Sequence, residues 1–142
     1  MSVPAKSIRI LFCVRSLGNG GVPRVLYNLA SGLVTEPSVE DVLVAYFGPP
    51  EDMVAPVEEA GVRTTRVDPT RPWQMWKVTS AFDPDIIHTH TIVSDVIGRL
   101  VGRLQGIPVV STVHTIYDHR PRAIRWADLL TSPLTDTQVG VS

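Results

Sequence analysis

The sequence predicts an α/β fold with a mainly parallel sheet and helices on both faces. Short, nearly continuous apolar runs recur along the chain, and such runs are typical of strands that are covered on both sides. Helix-length segments separate the runs, so strand and helix alternate throughout. Strands joined by crossover helices form right-handed βαβ units, which predicts a doubly wound, Rossmann-like domain.

Each element follows from its local pattern. The first strand, Ile8 to Val14, is apolar apart from one arginine, and the later strands resemble it. Strands are predicted at 8–14, 41–47, 62–67, 85–88, 108–113 and 137–141, with 62–67 and 137–141 the weaker pair. Helices are predicted at 23–34, 51–60, 72–82, 94–105 and 122–130.

The helix at 94–105 carries the most detailed expectations. Ser94 is expected to cap it, and its apolar stripe, which includes Leu100 and Leu104, is expected to face the sheet. Arg99 and Arg103 are expected to face away, and Gly98 and Gly102 to mark a close approach to the sheet. In the helix at 72–82, Trp73 and Trp76 are expected to anchor the core or its edge.

Composition limits the class of protein. With 142 residues, 44% of them hydrophobic, and no linker-like tract, residues 1–142 are expected to form one domain. The start lacks a signal-peptide pattern, which predicts a cytoplasmic protein. Cys13 is the one cysteine and lies in an apolar run, so we expect a buried, unreactive thiol. A net charge of -1 argues against a nucleic-acid partner.

Charge is unevenly distributed along the chain. Seven acids and no lysine or arginine lie between Arg24 and Arg63, whereas Asp118 is the one acid from Arg99 to Arg125. The stretch 117–126 sets arginines beside aromatic residues, a pattern that suits an anionic acceptor, the headgroups of a membrane surface, or a solvated helix face. A peripheral contact at the inner face of the membrane is therefore one expectation.

A glycine-rich turn follows the first strand. In residues 17–24, Gly20 and Gly21 allow close approach of a ligand to the backbone, and the positive end of the next helix faces the same space. A phosphate or a sugar hydroxyl fits there, although a purely structural turn is the alternative. A dinucleotide fingerprint fits poorly, because its third glycine would fall on Pro23.

Two histidine-bearing strand ends are expected at the same edge of the sheet. His88 and His90 share one face of their strand, with His90 nearer the edge. They are either ordinary hydrogen-bonded histidines or, in a metal hydrolase, a ligand pair. The next strand delivers His114 to this edge, where an imidazole can exchange a proton or meet a phosphate; a core histidine is the alternative.

At these residues the chain resembles the amino-terminal domain of the family 4 retaining GT-B glycosyltransferases. The resemblance rests on IRILFCVRSLGNGGVPRVLYNLASGL, FDPDIIHTHT, SDVIGRLVGRLQGIPVVSTVHT and TDTQVGVS. It implies that this domain holds the acceptor, that a second, carboxyl-terminal domain absent here holds most of the nucleotide-sugar donor, and that no metal or other cofactor is needed.

The resemblance also implies roles for individual residues. Gly20 and Gly21 would form the loop beneath the donor phosphates and the acceptor, with Arg15 supporting that loop. His114 would be the catalytic histidine, and His90 would line the same cleft. The family's G-G-x-E acid is replaced by Pro23, and its E-x(7)-E pair has no counterpart, so the isolated domain is expected to be inactive.

The predicted function is therefore to contribute the acceptor site and part of the active-site cleft of an enzyme that transfers a sugar from a nucleotide-sugar donor with retention of configuration. The acceptor would be a lipid, a polysaccharide or a small molecule. The alternative is a stand-alone Rossmann-like module that binds a ligand or a partner without catalysis of its own.

Overall fold

The structure, a computed structural model, describes residues 6–113 and 121–140. Six strands form one sheet in the order β3-β2-β1-β4-β5-β6, and every neighbouring pair is parallel. The strands are β1 Ile8–Val14, β2 Val39–Tyr46, β3 Arg63–Arg66, β4 Ile86–His90, β5 Val109–Val113 and β6 Thr137–Gly140. The predicted doubly wound α/β fold is confirmed.

Helices cover both faces of the sheet. They are α1 Gly21–Leu33, α2 Val54–Glu59, α3 Pro72–Phe82, α4 Ile92–Gln105 and α5 Arg122–Thr131, and a short 3₁₀ turn, Ser132–Leu134, follows α5. Side chains alternate along β1, so Phe12 packs with α1 and α2 on one face while Leu11 packs with α3 and α4 on the other. Burying both faces explains why β1 is almost wholly apolar.

The chain adds strands first on one side of β1 and then on the other, so the direction of strand order reverses beside β1. Its neighbours are β2 on one side and β4 on the other, so the connections after β1 and β4 diverge to opposite faces of the sheet. In open α/β sheets, ligands bind in the crevice that this divergence opens at the carboxyl ends of the strands. The fold thus places the glycine turn and His90 at such an edge.

The predicted orientation of α4 is wrong. Arg99 faces inward and is 1% exposed, whereas Leu100 and Leu104 are 45% and 71% exposed. The close approach at Gly98 and Gly102 is confirmed, because a Cβ on either would overlap a side chain of the sheet, Thr89 or Val109 respectively. Glycines therefore occupy the sheet-facing side that the leucines were expected to fill.

Three smaller expectations also have an outcome. The expected cap at Ser94 is wrong, because α4 begins at Ile92 and its N-cap position is Thr91, whose side chain makes no capping hydrogen bond. Trp73 and Trp76 do not anchor the core: they are 56% and 42% exposed. Cys13 is fully buried as expected, and burial strongly raises the pKa of its thiol.

Candidate functional site

The candidate site lies at the carboxyl ends of β1 and β4. These strands are paired, and Val14, the last residue of β1, is in register with His90, the last residue of β4. The glycine turn that follows β1 therefore leaves the sheet at the edge where β4 delivers His90. Two of the predicted site features are in this way brought to neighbouring strand ends.

The glycine turn opens onto free space. Gly20 caps α1 in an extended conformation with φ -153° and ψ 179°, and α1 begins at Gly21. A Cβ built on Gly21 would meet no atom within 4 Å. The N–H groups of Gly21 and Val22 donate no hydrogen bond within the described part of the chain. Since the first turn of α1 contains no acid, these donors and the helix dipole suit an anion.

Neighbouring loops hold the turn in place through backbone hydrogen bonds. Gly48 N–H donates to Arg15 O at 2.8 Å, and Met53 N–H donates to Leu17 O at 2.8 Å. The Arg15 side chain is exposed and forms no ion pair or hydrogen bond with another described residue. The β2–α2 connection is therefore bonded to the backbone carbonyl of Arg15 and not to its guanidinium.

An acid that the sequence analysis missed lies against this turn. A Cβ on Gly18 would overlap the carboxylate of Glu51 as it lies here, so a larger residue at position 18 would require that carboxylate to move. The carboxylate reaches the turn from the β2–α2 connection, which the pairing of β1 with β2 brings alongside. Its separation of 33 residues from Gly18 left no local signal in the sequence.

His88 and His90 lie on one face of β4, as expected. Their rings stack with centroids 4.5 Å apart, and Phe12 of β1 packs against both. His88 Nε2 also lies 2.6 Å from Thr112 Oγ1, which links β4 to β5. His90 is 1% exposed, so its side chain belongs to the wall beneath the strand ends.

The stacked pair does not have the geometry of a chelating site. A metal ion must lie close to the plane of each imidazole that binds it, and two stacked rings place those planes side by side. Within residues 6–113 and 121–140, no three His, Cys, Asp or Glu side chains are grouped as metal ligands. The ring geometry therefore does not favour a metal hydrolase built on His88 and His90.

Thr91, directly after His90, has a strained backbone. Its φ of 86° and ψ of 154° fall in a region that is essentially restricted to glycine, and a β-branched residue is unusual there. Ser94 Oγ donates to His90 O at 2.5 Å, and Asp95 N–H donates to Thr91 O at 2.8 Å. These bonds hold the bend where β4 passes into α4.

A buried polar network lies behind this bend. Thr89 Oγ1 donates to Asp95 Oδ1 at 2.5 Å and lies 2.8 Å from Ser111 Oγ. Burial raises the pKa of the Asp95 carboxyl, and the Thr89 hydrogen bond and the Arg99 charge oppose that rise. The network joins β4, β5 and α4, so it fixes the relative position of the two strand ends.

His114 and the segment Tyr117 to Arg120 lie outside the described residues. The last described residue of β5, Val113, immediately precedes His114 and is paired with β6 at the same edge of the sheet. The catalytic role of His114 remains a prediction.

A separate cavity lies at the opposite edge of the sheet. It has a volume of about 530 Å³ and is lined by Arg9, Asp41, Arg63 and Phe82, among others. Its charges are already paired, Arg9 with Glu40 and Arg63 with Asp41. Because ligands of open α/β folds bind at the carboxyl ends of strands, we place the candidate site at the glycine turn instead.

No helix within the described ranges has the length and apolarity needed to cross a bilayer.

A family model described as Glycosyltransferase Family 4 matches residues 19–142, which is most of the chain. No curated protein sequence matches the chain significantly.

Several solved structures share the fold. HepE from Anabaena, solved in complex with UDP, superposes with a TM-score of 0.74 at 17% identity, over 88% of this chain and 35% of HepE. The lipopolysaccharide outer core galactosyltransferase WaaB, in its apo form, gives 0.73 at 15% identity, over 92% of this chain and 38% of WaaB. A glycosyltransferase from Rickettsia africae gives 0.71 at 15% identity, over 96% of this chain and 37% of that protein.

At these identities the likeness concerns the fold. The chain spans a little over a third of the length of each of these proteins. The predicted resemblance to the amino-terminal domain of GT-B glycosyltransferases is confirmed.

Proposed function

From the premise that this chain belongs to glycosyltransferase family 4, we propose that it is the acceptor-side domain of an enzyme that transfers a sugar from a nucleotide-sugar donor with retention of configuration. The observation that carries the proposal is the open glycine turn at the start of α1, beside the end of β4. A lipid, a polysaccharide or a small molecule would accept the sugar.

The chemistry explains why this turn matters. Breaking the bond between sugar and phosphate leaves negative charge on the departing diphosphate, and preorganised donors stabilise such charge. The N–H groups of Gly21 and Val22, which donate to no other described residue and lie at the positive end of α1, are donors of this kind. They meet the charge without a metal or another cofactor.

Roles for the other predicted residues follow the same geometry. His114 would contact the transferred sugar or an acceptor phosphate, as the family resemblance implies. His90 would act from below, by holding the strand end on which the crevice rests, because its ring is buried against Phe12 and His88. The exposed Arg15 side chain would contact a ligand phosphate or the glycine turn.

The remaining contacts to the donor would come from a second domain. HepE was solved with UDP, so a UDP-sugar is the first donor to test. The chain alone would lack most of the nucleotide contacts and is expected to show no turnover. The physical reason for that inactivity is that this domain forms one wall of the cleft, whereas a ligand site needs walls on both sides to enclose the donor.

The test is a transfer assay on the chain joined to its own or a related carboxyl-terminal domain. An α-linked donor should give an α-linked product, identified by NMR of the anomeric proton. His114→Ala should lower kcat by at least tenfold. An inverted product would contradict retention, and unchanged turnover would contradict the role of His114.

A matched pair of variants tests the glycine turn. Gly21→Leu fills the open space at the start of α1 and should lower kcat/KM by about tenfold or more, since it removes phosphate contacts. Gly32→Leu adds the same side chain near the other end of α1, where a Cβ also meets no atom within 4 Å, and should leave kcat/KM unchanged. Equal values for both variants would contradict a ligand at the turn. Ligand binding without turnover in the two-domain protein would favour the stand-alone binding module.

A further inference from the structure

The chain contains two asparagines, and they lie in different surroundings. Asn28 is an exposed residue within α1 and is followed by Leu29. Asn19 is an exposed residue of the glycine turn and is followed by Gly20, which is also exposed. One asparagine therefore lies in a regular helix, and the other lies in a turn where a glycine comes next.

An asparagine side chain can react with the backbone of the next residue. The backbone N of that residue attacks the side-chain carbon Cγ, a C–N bond forms, and the bond from Cγ to the side-chain nitrogen breaks with release of ammonia. Water then opens the five-membered succinimide ring and leaves aspartate or isoaspartate. Overall, water is consumed and ammonia is released, and nothing is oxidised or reduced.

This reaction has two structural requirements. The backbone N must approach Cγ closely, which is easiest when the next residue is glycine and has no side chain in the way. The same N must also give up its proton, so an N–H that is held in a strong hydrogen bond reacts poorly. Both requirements concern the residue after the asparagine.

The structure meets both requirements at Asn19. Its side chain forms no hydrogen bond with another described residue, so the amide is not held away from the backbone. Gly20 N–H donates to Gly18 O at 3.2 Å, which is the long end of the hydrogen-bond range. Gly20 is also the N-cap of α1, and the positive end of the helix lowers the energy of a deprotonated backbone N at that position.

Asn28 meets neither requirement. The N–H of Leu29 belongs to the hydrogen-bonded interior of α1, and the leucine side chain crowds its backbone N. Exposure does not separate the two sites, because both asparagines are exposed. Asn28 is therefore an internal control for Asn19.

We propose that Asn19 is a deamidation site, and that its reaction with Gly20 introduces an acid into the glycine turn. The product carries a carboxylate in the turn that leads to the N–H groups of Gly21 and Val22, and isoaspartate also lengthens the backbone there. A negative charge at this position weakens the binding of an anion by the turn. This weakening rests on the proposed function, whereas the modification itself does not.

The modification is tested by incubating the folded full chain in weakly alkaline buffer and analysing its tryptic peptides by mass spectrometry. Trypsin places Asn19 in peptide 16–24 and Asn28 in peptide 25–63. Peptide 16–24 should gain the mass difference between an amide and an acid, whereas peptide 25–63 should not. Gly20→Ala should slow this gain by about tenfold or more, because a Cβ hinders the approach of the backbone N.

The turn has room for the alanine of this variant. Gly20 has an extended φ of -153°, and a Cβ there would meet Pro23 Cδ at an ordinary distance of 3.8 Å. Circular dichroism should show that the variant is folded. A parallel incubation of the native chain in urea shows whether the folded turn permits the reaction. Reaction of peptide 16–24 in urea alone would overturn the proposal, and so would equal rates for peptides 16–24 and 25–63.

The effect on the turn is measured with inorganic pyrophosphate, followed by the amide NMR signals of Gly21 and Val22. The aged chain and the variant N19D should bind pyrophosphate about two- to fivefold more weakly than the fresh chain. N28D adds the same charge within α1 and should bind as the fresh chain does. Equal affinities of the fresh and aged chains would overturn the effect on the turn. Absence of binding by the fresh chain would contradict the proposed function, and the peptide analysis would still decide whether Asn19 is modified.

Discussion

The Arg99 guanidinium donates to the Asp128 carboxylate, with 2.7 Å between Nη1 and Oδ1, and so ties α4 to α5. Arg99 is 1% exposed. On the same helix, Asp95 Oδ2 lies 3.9 Å from Arg99 Nη2. A buried cation is tolerated when it is paired, so the position of α5 depends on this side chain.

Replacing Arg99 should therefore destabilise the fold strongly. Arg99→Met keeps an unbranched side chain but leaves Asp95 without its nearest cation in a buried site. We expect a loss of about 3 kcal/mol in the free energy of unfolding, measured by urea denaturation followed by circular dichroism. Arg103→Met, at an exposed position on the same helix, is the control and should change it by less than about 0.5 kcal/mol. Equal unfolding midpoints for the two variants would show that the pair is not stabilising.

Helix α4 shows what the sequence can and cannot predict. Its end at Gln105 and its close approach at two glycines follow from local signals, namely Gly106 and the spacing of Gly98 and Gly102. Its orientation does not, because the apolar stripe predicts that Leu100 and Leu104 are buried, whereas they are exposed and Arg99 is buried. The partner that allows Arg99 to be buried, Asp128, lies 29 residues along the chain.

The glycines of α4 give a second prediction. Gly98→Ala gains about 1 kcal/mol of helix propensity, but its methyl would overlap Thr89 Cγ2 on a strand, and overpacking costs about 1 to 3 kcal/mol. We expect a net loss of about 1 kcal/mol in the free energy of unfolding. Thr89→Ser removes the overlapping methyl and keeps the hydroxyl. Adding G98A to the T89S variant should therefore lower the free energy of unfolding much less than adding G98A to the native protein.

The control for this prediction is Gly32→Ala in α1. A Cβ there meets no atom within 4 Å, so the substitution should stabilise the protein by up to about 1 kcal/mol. If G98A also stabilised the protein, the approach of α4 to the sheet would be looser than the structure indicates.

The candidate site was predictable where it depends on chain order alone. Strand followed by helix places the glycine turn and His90 at one edge, and alternation places His88 on the face of His90. Thr112 and Glu51 reach the site through strand pairing, whose register the sequence does not state. The strain at Thr91 follows from how a short β4–α4 connection must bend.

Thr91 provides the third prediction. With φ at 86°, a threonine pays about 1 to 3 kcal/mol of backbone strain that glycine avoids, whereas glycine costs about 1 kcal/mol more to order. Thr91→Gly should therefore raise the free energy of unfolding by about 1 kcal/mol. Thr35→Gly, at an exposed position without positive φ, is the control and should lower it. If T91G were destabilised instead, the Thr91 hydroxyl of the native protein, 3.2 Å from Ser94 Oγ, would contribute more to stability than the backbone strain costs.

Asp85 links stability to pH. Its carboxylate accepts from Arg9 N–H at 2.9 Å and from Lys6 Nζ at 3.1 Å, and these two bonds lower its pKa. Because the pKa is lower in the folded chain than in the unfolded one, the stabilisation is complete above about pH 4 and is lost as pH falls through the folded value. Asp85→Asn should therefore cost about 1 kcal/mol in the free energy of unfolding at pH 7 and close to nothing near pH 2. Glu36→Gln, at an exposed turn, should leave that free energy unchanged at pH 7. A cost for D85N that is the same at both pH values would mean that shape, rather than charge, explains the role of Asp85.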